Sequence, residues 1–123
     1  MKLQILITGG TKISRLVLKS IIKSVISDVE VFDLDISEYA LKKFNPHIIF
    51  YYLDSFNNSN LDVIYKIRSN EPYVKIIAVI PHNAPREYVK HVLNAGAVGY
   101  VTKPFRIRDL QAILNSLLRR FQE

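Results

Sequence analysis

The chain has no cysteine and no tryptophan, a single methionine and only four glycines in 123 residues. Without cysteine there is no disulfide framework, no thiolate nucleophile and no cysteine-ligated metal, which fits a reducing compartment. No apolar run approaches the roughly 18 residues that a membrane-spanning helix needs. Met1 to Ile5 reads straight into a strand and lacks the profile of a secretory signal. Also lacking are a Pro/Gly/Ser linker, an internal repeat, a low-complexity tract and any block of about five or six like charges. These absences lead to the expectation of a soluble cytoplasmic protein with no membrane contact.

What is present is globular. Hydrophobic residues make up 49% of the chain, enough to bury a core, and the length suits one domain spanning residues 1–123. The net charge is +6. Its bases are spread along the chain, from Lys12, Arg15, Lys19 and Lys23 to Arg106, Arg108, Arg119 and Arg120. Solvated helix faces explain that distribution better than a nucleic-acid footprint does, so the expected partner is a protein and direct nucleic-acid binding is disfavoured.

Short apolar runs alternate with amphipathic stretches. Leu3 to Thr8, closed by Gly9-Gly10, reads as a strand covered on both faces. Thr11 to Ser27 follows as a helix with Thr11 as N-cap. Ile13, Leu16, Val17, Ile21 and Val25 form its expected inward face. Val29 to Leu34 is a second strand, and Ser37 to Phe44 a short helix ended by Asn45-Pro46. His47 to Leu53 is a third strand and Asp54 to Asn60 a polar loop. Leu61 to Arg68 is a helix turning Leu61, Ile64, Ile67 and Tyr65 inward. Val74 to Ile80 is a fourth strand. The helix after it opens at Pro85, turns Val89, Val92 and Leu93 inward and ends at Gly96. Gly99 to Thr102 is a fifth strand. Ile107 to Phe121 is a last helix, striped by Leu110, Ile113, Leu114 and Leu117.

Five strands alternating with five helices predict an α/β fold with a parallel sheet, right-handed crossovers and helices on both faces. The flavodoxin-like order 2-1-3-4-5 suits a chain this short. Ligands in such sheets bind beyond the carboxyl ends of the strands. That rim carries Thr8, Gly9, Gly10, Tyr52, Asp54, Ile80, Pro81, Thr102 and Lys103.

Ala95 to Phe105, and within it Gly99-Tyr100-Val101-Thr102-Lys103-Pro104-Phe105, resembles the receiver domain of response regulators, the CheY-like superfamily. There a lysine reaching an acyl phosphate precedes a proline after an unusual peptide bond, with an aromatic residue three positions earlier, as Tyr100 stands here. Asn45 to Tyr52 resembles the family's proline-led third strand, and the likeness runs over essentially the whole chain. The stretch from Asp35 to Phe44 is shorter than usual in that family.

The resemblance implies a phosphorylation site, and this chain departs from it. The family's acidic pair after the first strand is replaced by Gly9 and Gly10. Its phosphate-accepting aspartate is replaced by Tyr52, and the Ser or Thr ending the fourth strand by Ile80. Only Lys103 remains of the chemical set. Phosphoryl transfer to an aspartate needs a carboxylate nucleophile and a divalent cation, and Mg²⁺ seeks carboxylate or phosphate oxygens. Two glycines and a phenol supply neither. The reading is therefore a non-enzymatic pseudo-receiver with no cofactor, metal or catalytic residue. It would act in signal transduction or transcriptional control through a partner protein or effector domain.

Alternatives remain open. Asp54, two residues past Tyr52, could accept a phosphoryl group, and Asp33 or Asp35 could replace a lost carboxylate. Tyr52 could be a phosphosite or could fill the vacated pocket. Lys103 could bind an anion or bond Tyr52 or backbone carbonyls. Thr8-Gly9-Gly10 could open a small-molecule or nucleotide crevice, though the third glycine of a dinucleotide fingerprint is missing. His47, His82 and His91 lack metal-ligand spacing. The resemblance also implies a partner or homodimer face on the fourth helix, fifth strand and fifth helix, here Tyr88, Lys90, His91, Val98, Tyr100, Arg108, Gln111 and Asn115.

Overall fold

The computed structural model describes residues 2–35, 45–56 and 58–122. The strands are β1 (Leu3–Gly9), β2 (Val29–Asp33), β3 (Ile48–Tyr52), β4 (Lys75–Pro81) and β5 (Gly99–Lys103). The described helices are α1 (Lys12–Val25), α2 (Asn58–Asn70), α3 (Arg86–Ala95) and α4 (Ile107–Gln122). The helix expected over Ser37 to Phe44 lies outside the described residues. The sheet is parallel throughout, in the order β2-β1-β3-β4-β5, the flavodoxin-like order that the alternation predicts.

The strands form where apolar runs can be covered from both sides. Ile48 to Tyr52 is buried at every position, and alternate residues feed two cores. Ile5, Ile7, Phe50, Tyr52 and Val79 pack with Leu18 and Ile22 of α1 and with Leu110 and Leu114 of α4. Leu6, Ile49, Tyr51, Ala78 and Ile80 pack with Ile64 and Ile67 of α2 and with Tyr88 and Val92 of α3.

Local chemistry fixes the helix ends. The Thr11 hydroxyl accepts the Ser14 N–H at 3.1 Å and caps α1. Gly96 closes α3 at φ +130°. The Arg68 guanidinium donates to the carbonyls of Val74 at 2.8 Å and Gly96 at 2.6 Å, tying the end of α2 to β4 and to the end of α3.

Three inward faces differ from the helical-period reading. In α1 the buried residues are Arg15, Leu18 and Ile22, while Ile13, Leu16 and Val17 stand in solvent. The helix is turned because Arg15 finds partners beneath it that aliphatic periodicity does not register. In α2 Tyr65 is half exposed, and the helix opens at Asn58, inside the expected loop. In α3 Leu93 is exposed and Tyr88 takes the inward place with Val92 and Ala95.

Candidate functional site

Parallel register assembles the carboxyl ends of four strands. Gly9 lies beside Tyr52, Tyr52 beside Val79, and Pro81 beside Lys103. The glycines make the turn from β1 into α1 possible, with φ +79° at Gly9 and +64° at Gly10. Such values suit glycine, because a Cβ crowds the following carbonyl there. The chain also comes too close to β3 for side chains. A Cβ at Gly9 would lie 2.7 Å from the Tyr52 carbonyl oxygen, and one at Gly10 would lie 3.0 Å from Tyr52 Cβ.

Arg15 occupies the space under this turn. Its Nε donates to Asp33 Oδ1 at 2.6 Å, and its Nη1 donates to the carbonyls of Gly9 and Gly10 at 3.1 and 3.2 Å. The two side chains are 10% and 7% exposed, so this ion pair is shielded from water and each charge needs the other. Asp33, a candidate substitute carboxylate, is thereby bound to a cation of the chain itself. Asp35 is exposed.

Tyr52 fills the end of β3. It is 4% exposed, and its hydroxyl donates to the Ser14 carbonyl at 3.1 Å. Phe105 meets the ring edge-on at 6.5 Å. Burial, with the Asp54 charge added, pushes the phenol up to about 12, so it is neutral at ordinary pH and is no metal ligand.

Lys103 reaches Asp54 instead of Tyr52's hydroxyl or a backbone carbonyl. Its Nζ is 2.5 Å from Asp54 Oδ1 and 5.4 Å from the Tyr52 ring centroid. The Asp54 carboxylate, weighed above as an alternative acceptor, is held by the lysine for which the family resemblance implies a phosphate partner. The Lys103–Pro104 peptide is cis. Ile80 is buried and points into the second core, away from Lys103. Thr8, also buried, leaves its hydroxyl unpartnered among the described residues.

The sequence reading placed the Arg15 carbonyl clamp nowhere. Its signal was the spacing of Arg15 with Leu18 and Ile22, three and seven residues on, together with an aspartate ending the neighbouring strand.

Of the expected interaction face, Lys90, His91, Val98, Tyr100, Arg108, Gln111 and Asn115 are exposed. Tyr88 is not part of it. Its ring packs on Phe56 at 5.2 Å and its hydroxyl donates to the Ser55 carbonyl at 3.2 Å, because a tyrosine with both an aromatic neighbour and an acceptor is better buried than solvated. A cavity of about 220 Å³ opens beside Tyr100, lined by Ile80, Ala84, Arg86, Val89 and Thr102 among others. A larger one, about 500 Å³, lies at the amino ends of the strands, lined by residues including Pro46, His47, Pro72, Tyr73 and Val74. Neither touches Gly9 or Gly10. His47 is structural: its Nδ1 accepts the Gln4 N–H at 2.9 Å. Among the described residues no group of three or more His, Asp or Glu is placed to hold a metal ion.

A family model described as the response regulator receiver domain matches residues 5–115. The transcriptional regulatory protein PhoP of Escherichia coli K12 is 33% identical over 84 residues, 68% of this chain and 37% of PhoP. The chain thus spans well under half the length of that relative. Among solved structures, the chemotaxis response regulator CheY4 of Vibrio cholerae superposes with a TM-score of 0.76 at 17% identity, covering 95% of this chain and 99% of the other. DrrB, an OmpR/PhoB homologue from Thermotoga maritima, gives 0.78 at 21% identity, covering 98% and 54%. A protein described under pilus assembly from Burkholderia thailandensis gives 0.81 at 14% identity, covering 95% and 98%. At these identities the structural likenesses speak for the fold.

Proposed function

The chain belongs to the response regulator receiver domain family of two-component signalling, and from that premise we propose that it works as a receiver without aspartyl phosphorylation. In this reading residues 1–123 form one non-enzymatic, cytoplasmic module. Its state is set when a partner protein or effector domain selects among surface conformations. Gly9, Gly10, Tyr52, Ile80 and Lys103 are the remnant of the phosphorylation site.

One observation carries the proposal. At the strand-end rim, where the family resemblance would set a metal ion and a phosphoryl group, the charged and phenolic groups are paired within the chain. Arg15 sits on the carbonyls of Gly9 and Gly10 and on Asp33. Tyr52 closes the end of β3, and Lys103 is taken by Asp54. A guanidinium already neutralises the carbonyls and the Asp33 carboxylate that a divalent cation would need, and the carboxylate nearest the turn, Asp54, is paired with Lys103.

The partner would meet the exposed parts of α3, β5 and α4, where Val98 and Tyr100 present apolar surface between Lys90 and Arg108. A second copy of the chain is one candidate. Loss of association in Tyr100→Ala and Lys90→Glu supports this face, and unchanged association in both counts against it.

Amide NMR with Mg²⁺ and beryllofluoride, a mimic of aspartyl phosphate, tests the core of the reading. The expected spectrum shows no saturable shift at Gly10, Tyr52 or Lys103. The opposite result, joined by a hydroxylamine-labile phosphate that disappears in Asp54→Asn, makes Asp54 a displaced acceptor and ends the proposal.

A further inference from the structure

The cavity of about 500 Å³ lies at the end of the sheet opposite the Gly9-Gly10 rim. It opens between the lead-in to β3, at residues 45–47, and the turn from α2 into β4, at residues 70–74. Its size suits a small molecule. Both walls are held before any ligand arrives. The His47 N–H donates to the Gln4 carbonyl at 2.9 Å, and the Lys75 N–H donates to the His47 carbonyl at 3.0 Å. Across the cavity, Arg68 Nη1 donates to the carbonyls of Pro72 at 3.0 Å and Val74 at 2.8 Å. Fixed walls lower the ordering cost of binding.

The lining has a definite chemistry. Pro46 and Val74 are buried and apolar, and Tyr73 stands 88% exposed beside them. The amides of Asn45 and Asn70 are exposed at the same cavity. His47 accepts the Gln4 N–H through Nδ1, which puts its own proton on Nε2 and leaves the ring uncharged. Glu71 then brings the one formal charge among the described lining residues, in a chain of net charge +6. Arg68 aims its guanidinium at backbone carbonyls. Lys75 follows inward Val74 and so faces the other side of the sheet. Glu71 also has contacts within the chain. A carboxylate offers about four acceptor positions, so a ligand can share it.

We propose that this cavity binds a small cationic aromatic amine, a flat ring carrying a protonated amino group. The ring leaves water against Pro46, Val74 and the face of Tyr73. The ammonium pairs with Glu71 and is also attracted by the Tyr73 π-system. Side-chain carbonyls of Asn45 and Asn70 accept its remaining N–H groups. An anion, phosphate included, meets a like charge and no lysine or arginine in the described lining. The site shares no residue with the remnant at Gly9, Gly10, Tyr52, Ile80 and Lys103, so it goes beyond the loss of aspartyl phosphorylation.

Amide NMR of the whole chain with tryptamine and with indole-3-acetate is the test, because the two probes carry the same ring with opposite charge. Tryptamine is expected to give saturable shifts at His47, Tyr73 and Val74. Indole-3-acetate gives none at the same millimolar concentration. Glu71→Gln weakens tryptamine about tenfold, and Tyr73→Ala weakens it about fivefold. Tyr73 is exposed, so Tyr73→Ala keeps the parent's thermal midpoint and separates lost binding from lost folding. Tyr100→Ser, on another face, binds as the parent does. No saturable shift with tryptamine, comparable binding of indole-3-acetate, full binding by Tyr73→Ala, or shifts centred on Gly10 and Tyr52 overturns the proposal. None of these outcomes depends on whether Asp54 accepts phosphate.

Discussion

Lys103 Nζ and Asp54 Oδ1 stand 2.5 Å apart, joining the end of β5 to the loop after β3. The lysine reaches past Tyr52, the last residue of β3, to a carboxylate two residues beyond it. Its side chain is 31% exposed and that of Asp54 47%, so water screens the pair. A double-mutant cycle with Lys103→Met and Asp54→Asn, read by urea unfolding, gives a coupling below about 1 kcal/mol.

Arg15 and Asp33 are the contrasting case. Both are shielded, and removing one leaves the other charged without water. Arg15→Met or Asp33→Asn costs about 3 kcal/mol. The double variant costs less than the two singles summed, since neither charge is then stranded. Denaturant midpoints at constant slope measure both effects.

The first-strand glycines differ in what an added methyl would meet. Gly9→Ala sets a Cβ 2.7 Å from a backbone oxygen, and Gly10→Ala sets one 3.0 Å from the Cβ of Tyr52. Left-handed φ adds about 1–2 kcal/mol in either. Gly9→Ala is the more damaging, because a main-chain atom has no room to yield. A larger loss in Gly10→Ala would show that the turn moves as a unit.

Alkali reaches the site through Tyr52. Its phenol titrates near 12 in the folded chain against 10.0 ordinarily. Stability from this group is whole below pH 10 and drains as pH climbs toward 12, because the unfolded phenol ionises first. The loss is on the order of 2 kcal/mol. Tyr52→Phe shallows that slope while costing about 1 kcal/mol at neutral pH for the bond to the Ser14 carbonyl. Tyr51 and Tyr88 are also raised by burial, so some slope persists.

Thr8→Val exchanges a buried hydroxyl that has no partner among the described residues for a methyl of similar shape. The thermal midpoint rises, by about 1 kcal/mol of stability.

The strands were legible in the sequence because a continuous apolar run such as Ile48 to Tyr52 has few uses other than a strand covered on both faces. The sheet order followed from alternation and length. Helix faces were harder. Ile13, Leu16 and Val17 have the period of an inward stripe, and Arg15 has the chemistry of an outward residue. What reverses them is a carboxylate 18 residues away on another strand, beyond any local window, together with two nearby carbonyls that only the turn at Gly9 and Gly10 aims at Arg15. Tyr88 failed in the other direction, placed on a surface because the family resemblance implies a partner face on its helix, and buried because Phe56 and the Ser55 carbonyl satisfy both ends of it. At the site, Gly9, Gly10, Tyr52 and Ile80 could be read from the sequence by residue type alone. That Asp54 would take Lys103 could not, since a side chain's reach depends on the loop that carries it.

The sheet separates two packed interiors, and neighbours along β3 belong to different ones: Ile49 packs with α2 and α3, Phe50 with α1 and α4. Adjacent positions in the chain are therefore thermodynamic strangers. Cavities cut at Ile49 and at Phe50 open on opposite sides of a hydrogen-bonded wall and share no lining, so their costs add like those of distant sites. A pair within one interior, such as Phe50 with Leu114, does not.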